Sequence, residues 1–550
     1  MPRRRAPTHD GDAPQSAEPG SEPVAAARSG ADETPPPKAA QDLSTSFQTS
    51  KSAILCLLGV VSLFAFLSAW HQNAALIGER GLAPATPYLD HLHRHGGGRW
   101  RHPTIFWLFD LNDANLNVTA LAGCGLALLL ACGVHSFFVV AGIWLLYFSI
   151  VTVAEGSNFY AYGWEAQLLE TTFLCAFLCA PFDVEAPPSK RVLYLLRWLT
   201  FRISVGAGLI KARGGSCWAD RTCLWYHFET QPVPSPLSFA FHFLPRWALS
   251  RGVDLDFAVQ LYTSWLVLLP GCNFGLRLVR RSAGLVQALF MVNIALSGNF
   301  ATLNHLTIVP IITCLDDGCL GWLAAALPRR RRAPRARAAR SHLSRYAVDV
   351  CLVAVVAWLS APVVANLASS KQVMNASFDP FRLVNSYGAF GSVGEKRYEA
   401  IISVNVGGEW VELDLPCKPG NVRRRPCFSA PYHHRLDWNL WFLGFKPHRQ
   451  MLQQRESWLY AFLEKLLSKD AAVVSLLAAD SRAALAKEPR PLAAVKVDMF
   501  WYRMAQPLHR AVAEALRSAD GQATWWNRTF EELLLPPLHL DQNGKLALAA

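Results

Sequence analysis

The sequence predicts an α-helical polytopic membrane domain followed by a lumenal α+β domain. Three observations lead to this fold class. Hydrophobic residues make up 52% of the 550 residues and charged residues only 17%, which is typical of a chain that contacts lipid. Apolar stretches long enough to cross a membrane recur before residue 370. After residue 370 the chain becomes more polar, and apolar residues alternate there as in a half-buried strand.

The amino-terminal residues 1–46 are rich in Ala, Pro, Gly and Ser. They cannot bury enough apolar surface to fold, so we expect a disordered cytosolic tail. The first apolar stretch, residues 52–70, is not followed by a small-residue cleavage site and indicates a signal anchor. Arg3, Arg4 and Arg5 precede it, and basic residues on this side favour a cytosolic amino terminus.

A multi-span transmembrane domain is predicted for residues 47–370. Its nine candidate spans are residues 52–70, two within 118–153, and 167–181, 192–210, 257–272, 283–296, 306–327 and 347–367. Basic residues fall in alternate loops, above all in a cytosolic Arg-rich loop at 328–346, which leaves lumenal loops near 73–117 and 212–250. If the shorter stretches are interfacial, five spans remain. Either odd total places residues 371–550 in the lumen.

The carboxyl-terminal residues 371–550 are predicted to form a small mixed domain. Apolar residues alternate over 398–406 and 410–415, and Gly407-Gly408 between them indicates a β-hairpin. Residues 436–445 and 456–467 have helical spacing.

Intramembrane polar residues are expensive and usually paired or functional. Glu165 and Glu170 lie at and within the start of a candidate span, and Arg197 and Arg202 in the next span are candidate partners of Glu170. No nucleophile or metal-binding group accompanies them. A structural ion pair that sets helix packing is therefore the preferred interpretation.

Four cysteines, Cys217, Cys223, Cys417 and Cys427, fall in segments predicted to be lumenal and oxidising. Four cysteines allow three pairings, and we prefer the two local ones. No Cys-x-x-Cys motif occurs in these segments, so a structural disulfide is favoured over a redox-active one.

Three Asn-x-Ser/Thr sequons begin at Asn117, Asn375 and Asn527 and are candidate glycosylation sites. Asn117 directly precedes an apolar stretch, where the bilayer can prevent modification.

No metal, cofactor or nucleic acid is predicted as a ligand. Cys427, His433 and His434 lack a second close pair of zinc ligands. The chain has no phosphate-binding glycine loop and no dinucleotide fingerprint. The formal net charge of +12 is concentrated beside apolar stretches, which indicates a topology signal rather than a nucleic-acid site. Membrane lipid is the expected surrounding.

Several long motifs carry a resemblance to a known family. They include GWEAQLLETTFLCAFLCAP (163–181), SGNFATLNHLTIVP (297–310), LVNSYGAFGS (383–392), CKPGNVRRRPC (417–427) and PYHHRLDWNLWF (431–442). In these strings the sequence resembles the lipase maturation factor family of endoplasmic-reticulum membrane proteins. The resemblance spans roughly residues 50 to 470, whereas the segment after about Ser481 is poorly matched.

The resemblance implies a non-enzymatic factor that assists folding and assembly of immature secretory proteins, dimeric lipases among them. Such a factor needs exposed aromatic surface for its clients. The candidate client-binding residues in or near the matched motifs are Tyr387, Phe390, Tyr432, Trp438, Trp441 and Phe442.

Two other functions stay open at this point. A membrane-embedded enzyme that modifies lumenal proteins or lipids would gather Glu165, Glu170, Lys211 and His227 at the lumenal membrane face. A transporter would need inverted repeats, and the sequence contains no evident repeat.

Overall fold

The computed structural model describes residues 46–95, 101–181, 186–327, 339–445, 458–488 and 491–549. The predicted amino-terminal tail and most of the predicted Arg-rich loop lie outside these ranges and stay predictions. In the described ranges the helical and carboxyl-terminal parts belong to one compact unit, so they pack together.

The chain up to residue 368 is mainly helical. Its helices are α1 (Gln48–Leu76), α2 (Ala85–Arg94), α3 (Asp113–Ala131), α4 (Phe137–Val153), α5 (Gly163–Ala176), α6 (Lys190–Ala212), α7 (Ser216–Ala219), α8 (Cys223–Thr230), α9 (Pro236–His242), α10 (Arg246–Phe257), α11 (Phe274–Ser297), α12 (Leu303–Ile311), α13 (Asp317–Leu320) and α14 (Ala339–Ala368). Side-chain caps begin several of them: Asn112 accepts from the backbone of Asn115 in α3, and Ser136 accepts from that of Phe138 in α4.

Four helices in the described ranges are long and apolar enough to cross a membrane: α1, α3, α6 and residues Ser344–Ala368 of α14. A fifth span is possible if Leu303–Cys314 and Asp317–Ala325, which meet at 114°, count as one broken span. The chain is thus a multi-pass membrane protein.

The predicted total of nine spans is not matched by nine long helices. α5, at 14 residues, is about 21 Å long and falls short of the roughly 30 Å apolar core of a bilayer. The predicted span 257–272 is interrupted by a π-helical turn, Ala258–Thr263. The helices that are long enough in the described ranges number four, or five with the bent pair, so they lie nearer to five spans than to nine.

One end of the helical bundle holds the starts of three long helices. The Asp317 carboxylate accepts hydrogen bonds from the backbone N–H groups of Gln48 (2.8 Å) and Thr49 (2.9 Å), where a negative charge stabilises the start of α1. Lys51 donates to the carbonyl of Ala186, just before α6, at 2.9 Å. Ser189, the N-cap of α6, contacts Asp349 near the start of the apolar part of α14.

The opposite end of the bundle carries the carboxyl-terminal part. Ser68 near the end of α1 donates to the carbonyl of His433 at 2.7 Å. Gln372, just after α14, donates to the carbonyl of Gly206 near the end of α6 at 3.0 Å. Because α1, α6 and α14 run in the same direction, residues 371–549 lie at the end of the bundle opposite to residue 46.

The carboxyl-terminal part is built on an antiparallel sheet with the strand order β2-β1-β3-β4-β5. The strands are β1 (Arg397–Val406), β2 (Glu409–Leu413), β3 (Val495–Met504), β4 (Trp526–Leu540) and β5 (Leu546–Leu548), and the helices are α15 (Arg435–Phe442), α16 (Trp458–Leu467), α17 (Ala471–Val474), α18 (Ala479–Ala486) and α19 (Leu508–Arg517). The predicted α+β class is confirmed.

The predicted hairpin is β1–β2, with Val404 opposite Val411. Its turn needs glycine, because Gly407 and Gly408 have φ angles of 61° and 98°. Both predicted helices are present, as α15 and α16. Strands β3 to β5 were not identified from the sequence.

Candidate functional site

The first feature of the candidate site is a buried ion pair between α5 and α15. Glu165, in the first turn of α5, accepts from Arg435 at 2.7 Å, and both side chains are 1% exposed. Arg435 also donates to the carbonyl of Phe159 at 2.7 Å and lies over the ring of Tyr160 at 3.6 Å. Tyr147 donates its hydroxyl to the second carboxylate oxygen. The pair therefore joins the helical bundle to the carboxyl-terminal domain.

A second buried ion pair lies farther along α5. Glu170 pairs with Arg202 of α6, and both side chains are fully or almost fully buried. The other carboxylate oxygen accepts from the backbone and side chain of Asn385, each at 3.0 Å, and from the hydroxyl of Tyr387 at 2.7 Å. Arg197, the other candidate partner, donates instead to the carbonyl of Thr313 at 3.0 and 2.6 Å.

These contacts define what the two carboxylates can do. Each is held by an arginine and by further hydrogen-bond donors, so its charge is compensated in a dry environment. A general acid or base needs an approach for substrate, and neither buried carboxylate has one. We call these two buried ion pairs clasps. The first clasp joins Glu165 to Arg435 of α15, and the second joins Glu170 to Arg202 and to the segment around Asn385.

An aromatic cluster covers the first clasp. Tyr162 and Trp164 stack with ring centroids 4.6 Å apart, and His433 meets both edge-on at 5.0 and 5.1 Å. Burial, and then the charge of Arg435, hold the pKa of His433 well below its ordinary value. A neutral imidazole therefore packs here, with Trp438 against it.

Two of the six candidate client-binding residues are buried. Tyr387 is 4% exposed because its hydroxyl donates to Glu170, and Trp438 is 6% exposed within the aromatic cluster. Both side chains pack in the core of this structure, and client binding by them stays a prediction. Tyr432 is partly exposed, and its hydroxyl accepts a hydrogen bond from Nε2 of Gln72 at 3.2 Å. Phe442 lies at the edge of the aromatic cluster, with its ring centroid 6.4 Å from that of Tyr162.

The two remaining candidates, Phe390 and Trp441, line one cavity. The cavity has a volume of about 70 Å³ and lies between α8, the segment after Phe390 and the end of α15. Its other lining residues are His227, Thr230, Gln231, Ser392, Val393, Gly394, Lys396, Arg397, Tyr398, Gly444 and Phe445. Burial, aided by the charge of Lys211, lowers the pKa of His227 to about 3, so the imidazole is neutral at physiological pH. The cavity combines aromatic walls with an exposed cation, Lys396.

The four residues of the enzyme hypothesis are not assembled into one site. Glu165 and Glu170 have separate partners, and Lys211 pairs with Asp256 at 2.7 Å. His227 faces the aromatic cavity instead. Among the residues that the structure describes, no group of three or more His, Cys, Asp or Glu could hold a metal ion.

The four predicted lumenal cysteines form the two local disulfides. Cys217 joins Cys223 with Cα atoms 4.7 Å apart, and Cys417 joins Cys427 with Cα atoms 5.5 Å apart. Asp437 of α15 accepts from the backbone N–H of Cys417 at 2.7 Å, so the second disulfide also fixes the loop next to the first clasp.

Replacing Cys417 and Cys427 together by serine is expected to destabilise the protein by about 3 kcal/mol, because the closed loop of 10 residues is released in the unfolded state. Thermal unfolding in detergent, compared with the Cys217→Ser and Cys223→Ser double variant, measures this. An unchanged melting temperature would show that the loop is held by its hydrogen bonds alone.

The three sequon asparagines lie in different parts of the fold. Asn117 is in α3, Asn375 follows α14 and Asn527 is in β4.

Comparison with known proteins agrees with this architecture. Residues 49–322 match the lipase maturation factor transmembrane domain, and residues 383–536 match the lipase maturation factor C-terminal domain. The second match extends past residue 481, so it includes β3 and most of β4, in the segment that the motifs above match poorly. No solved structure matches the chain significantly.

Full-length relatives agree as well. Lipase maturation factor 1 of Bos taurus is 40% identical over 90% of this chain and 89% of its own length, and that of Homo sapiens is 37% identical over 90% and 89%. Lipase maturation factor 2 of Mus musculus is 26% identical over 88% of this chain and 83% of its own length. This chain therefore belongs to the lipase maturation factor family.

Proposed function

We propose that this protein assists the folding, assembly and maturation of secreted lipases in the endoplasmic reticulum, without catalysing a reaction itself. The observation that carries the proposal is the 40% identity, over nine-tenths of both chains, to a protein named lipase maturation factor 1. Its partners are immature secretory proteins, with lipases foremost, and it is surrounded by membrane lipid.

The proposed topology has the amino terminus in the cytosol and residues 371–550 in the lumen. Three long helices start at the same end of the bundle, and Arg280 and Arg281 pair with Asp316 at that end. Basic residues favour the cytosolic side. Both disulfides lie toward the other end, which fits an oxidising lumen.

A non-enzymatic role is supported by the two clasps. The carboxylates most suggestive of catalysis are compensated by Arg202 and Arg435 and are buried. Their physical effect is to hold the carboxyl-terminal domain rigidly on the bundle, which positions its surface at a fixed distance from the membrane.

The proposed client site is the cavity lined by Phe390 and Trp441. An unfinished client exposes apolar side chains that belong in its own interface, and an aromatic cavity can cover one of them. Lys396 at the cavity would favour a client segment that carries an acidic residue beside the apolar one.

The direct test uses cells that lack lipase maturation factors and express a dimeric secreted lipase. We expect this chain to restore secreted lipase activity per unit of lipase protein. Unchanged specific activity at normal levels of the factor would overturn the proposal.

Ser392→Trp is expected to lower lipase recovery severalfold, because an indole at this exposed position fills the cavity without removing any described side-chain contact. Secreted lipase activity and co-precipitation of lipase with the factor measure the effect. The matched control is Ala519→Trp, which places the same side chain on an exposed loop away from the cavity. Equal activity of the two variants would contradict a client site here.

A further inference from the structure

The three sequons differ in whether the folded chain can carry an oligosaccharide. In the sequon at Asn117, Thr119 is 5% exposed and donates its hydroxyl to the carbonyl of Asn115 at 2.7 Å. This sequon is also part of a helix that is long and apolar enough to cross a membrane. The folded chain therefore cannot carry an oligosaccharide at Asn117.

The second sequon is tied to the clasp at Glu170. Asn375 accepts from the backbone of Gly388 at 3.3 Å, and its carboxamide lies against Gly163 at the start of α5. Ser377 donates to the side chain of Asn385, which in turn donates to Glu170. Asn375 and Ser377 are themselves exposed, but an oligosaccharide on Asn375 would have to displace the contacts of its carboxamide with Gly388 and Gly163.

The third sequon is open. Asn527 and Thr529 are both exposed, and they lie two residues apart on β4, so their side chains point to the same face of the strand. No side-chain hydrogen bond is formed by either residue within the described ranges. Main-chain pairing holds the strand at this point, because Asn527 lies opposite Arg503 and Thr529 opposite Trp501 of β3.

The part of β4 that follows Asn527 has an unpaired outer edge in the described part of the chain, and this edge must be kept from pairing with other chains. β5 pairs only with Leu538, His539 and Leu540, so in the described part of the chain the outer edge of β4 before them has no strand partner. Phe530 and Leu533 are 56% and 49% exposed on this stretch. An exposed strand edge with apolar side chains is a template for pairing with unfolded chains, which a folding factor meets constantly.

We propose that Asn527 carries an N-linked oligosaccharide that shields this edge. The donor is a lipid-pyrophosphate-linked oligosaccharide, and a transferase of the endoplasmic reticulum catalyses the reaction. The bond between the first sugar carbon and the pyrophosphate oxygen breaks, that carbon bonds to Nδ2 of Asn527, and the lipid pyrophosphate and one amide proton leave. The proposal rests on the lumenal placement of residues 371–550 in the proposed function.

The test is the gel mobility of the full-length protein from mammalian microsomes before and after digestion with an amidase that removes N-linked oligosaccharides. We expect a shift of one oligosaccharide in the wild type, lost in Asn527→Gln and in Thr529→Ala. Thr529→Ser retains the sequon and should retain the shift. Asn117→Gln and Asn375→Gln should also retain it. A shift that survives Asn527→Gln, or a wild type without a shift, overturns the proposal.

Gln522→Asn in the Asn527→Gln background separates the lumenal placement of the domain from the modification of Asn527, because it creates a sequon with the existing Thr524 at an exposed position. If the wild type is unmodified and this variant is modified, the domain is lumenal and only the oligosaccharide at Asn527 is refuted. If both are unmodified, the lumenal placement fails as well. Loss of lipase maturation is measured independently and does not bear on this result.

Shielding has its own readout. Asn527→Gln is expected to self-associate several times more than Thr529→Ser in detergent at equal concentration, because only the first loses the oligosaccharide. Equal self-association would overturn the shielding role even if Asn527 is modified.

Discussion

Replacing Arg435 by methionine is expected to destabilise the protein by about 3 to 5 kcal/mol, since Glu165 would keep a buried carboxylate without its cation. Methionine fills much of the same volume, so the loss is mainly electrostatic. In cells this is enough to remove most of the folded protein. The measurement is thermal unfolding of the purified protein in detergent, together with its half-life in a chase experiment.

Two further variants test whether the loss of stability in Arg435→Met comes from the unpaired charge of Glu165. Combining Arg435→Met with Glu165→Gln should recover part of the lost stability, because no uncompensated charge is then buried. Arg528→Met applies the same substitution to a partly exposed pair with Glu412, 2.7 Å long, and should cost no more than about 1 kcal/mol. If the double variant is no more stable than Arg435→Met alone, the clasp does not act through its charges.

Glu170→Gln is the second substitution with a large expected effect. The Glu170 carboxylate pairs with Arg202 and accepts hydrogen bonds from Asn385 and Tyr387. The amide of glutamine is neutral, so it cannot compensate the charge of the buried Arg202 guanidinium. We expect a loss of about 3 kcal/mol or more. The folded fraction and the lipase yield should fall together, so that activity per folded molecule stays near that of the wild type.

The activity per folded molecule of the Glu170→Gln variant separates a structural role of Glu170 from a catalytic one. A catalytic Glu170 would give normal amounts of folded protein with no lipase maturation. The matched control is Glu412→Gln, in the partly exposed pair with Arg528, which should leave both the folded fraction and the yield nearly unchanged.

Local sequence patterns predicted the elements that depend on neighbours in the chain. The β1–β2 hairpin follows from alternation around Gly407-Gly408, and both disulfides join cysteines close in sequence. The next apolar stretch offered both Arg197 and Arg202 as partners of Glu170, and the pattern could not choose between them. β4 was missed, since exposed residues on both of its faces and Pro536-Pro537 hide the alternation.

Contacts between distant segments were beyond such patterns. Nothing near Glu165 indicates that its cation is Arg435, 270 residues later. The aromatic residues Tyr387 and Trp438 are equally compatible with core and surface until their partners are known. Burial by a segment elsewhere in the chain decides between the two, and periodicity carries no information about that segment.

The separation of Glu165 and Arg435 by 270 residues in the chain has a consequence during synthesis. A ribosome adding about 5 to 20 residues per second needs roughly 15 to 50 seconds to pass from Glu165 to Arg435. Throughout that interval the Glu165 carboxylate has no Arg435 to pair with. The contact that joins the bundle to the carboxyl-terminal domain at Glu165 therefore forms only after translation has reached α15, and a chain stopped before residue 435 cannot form it.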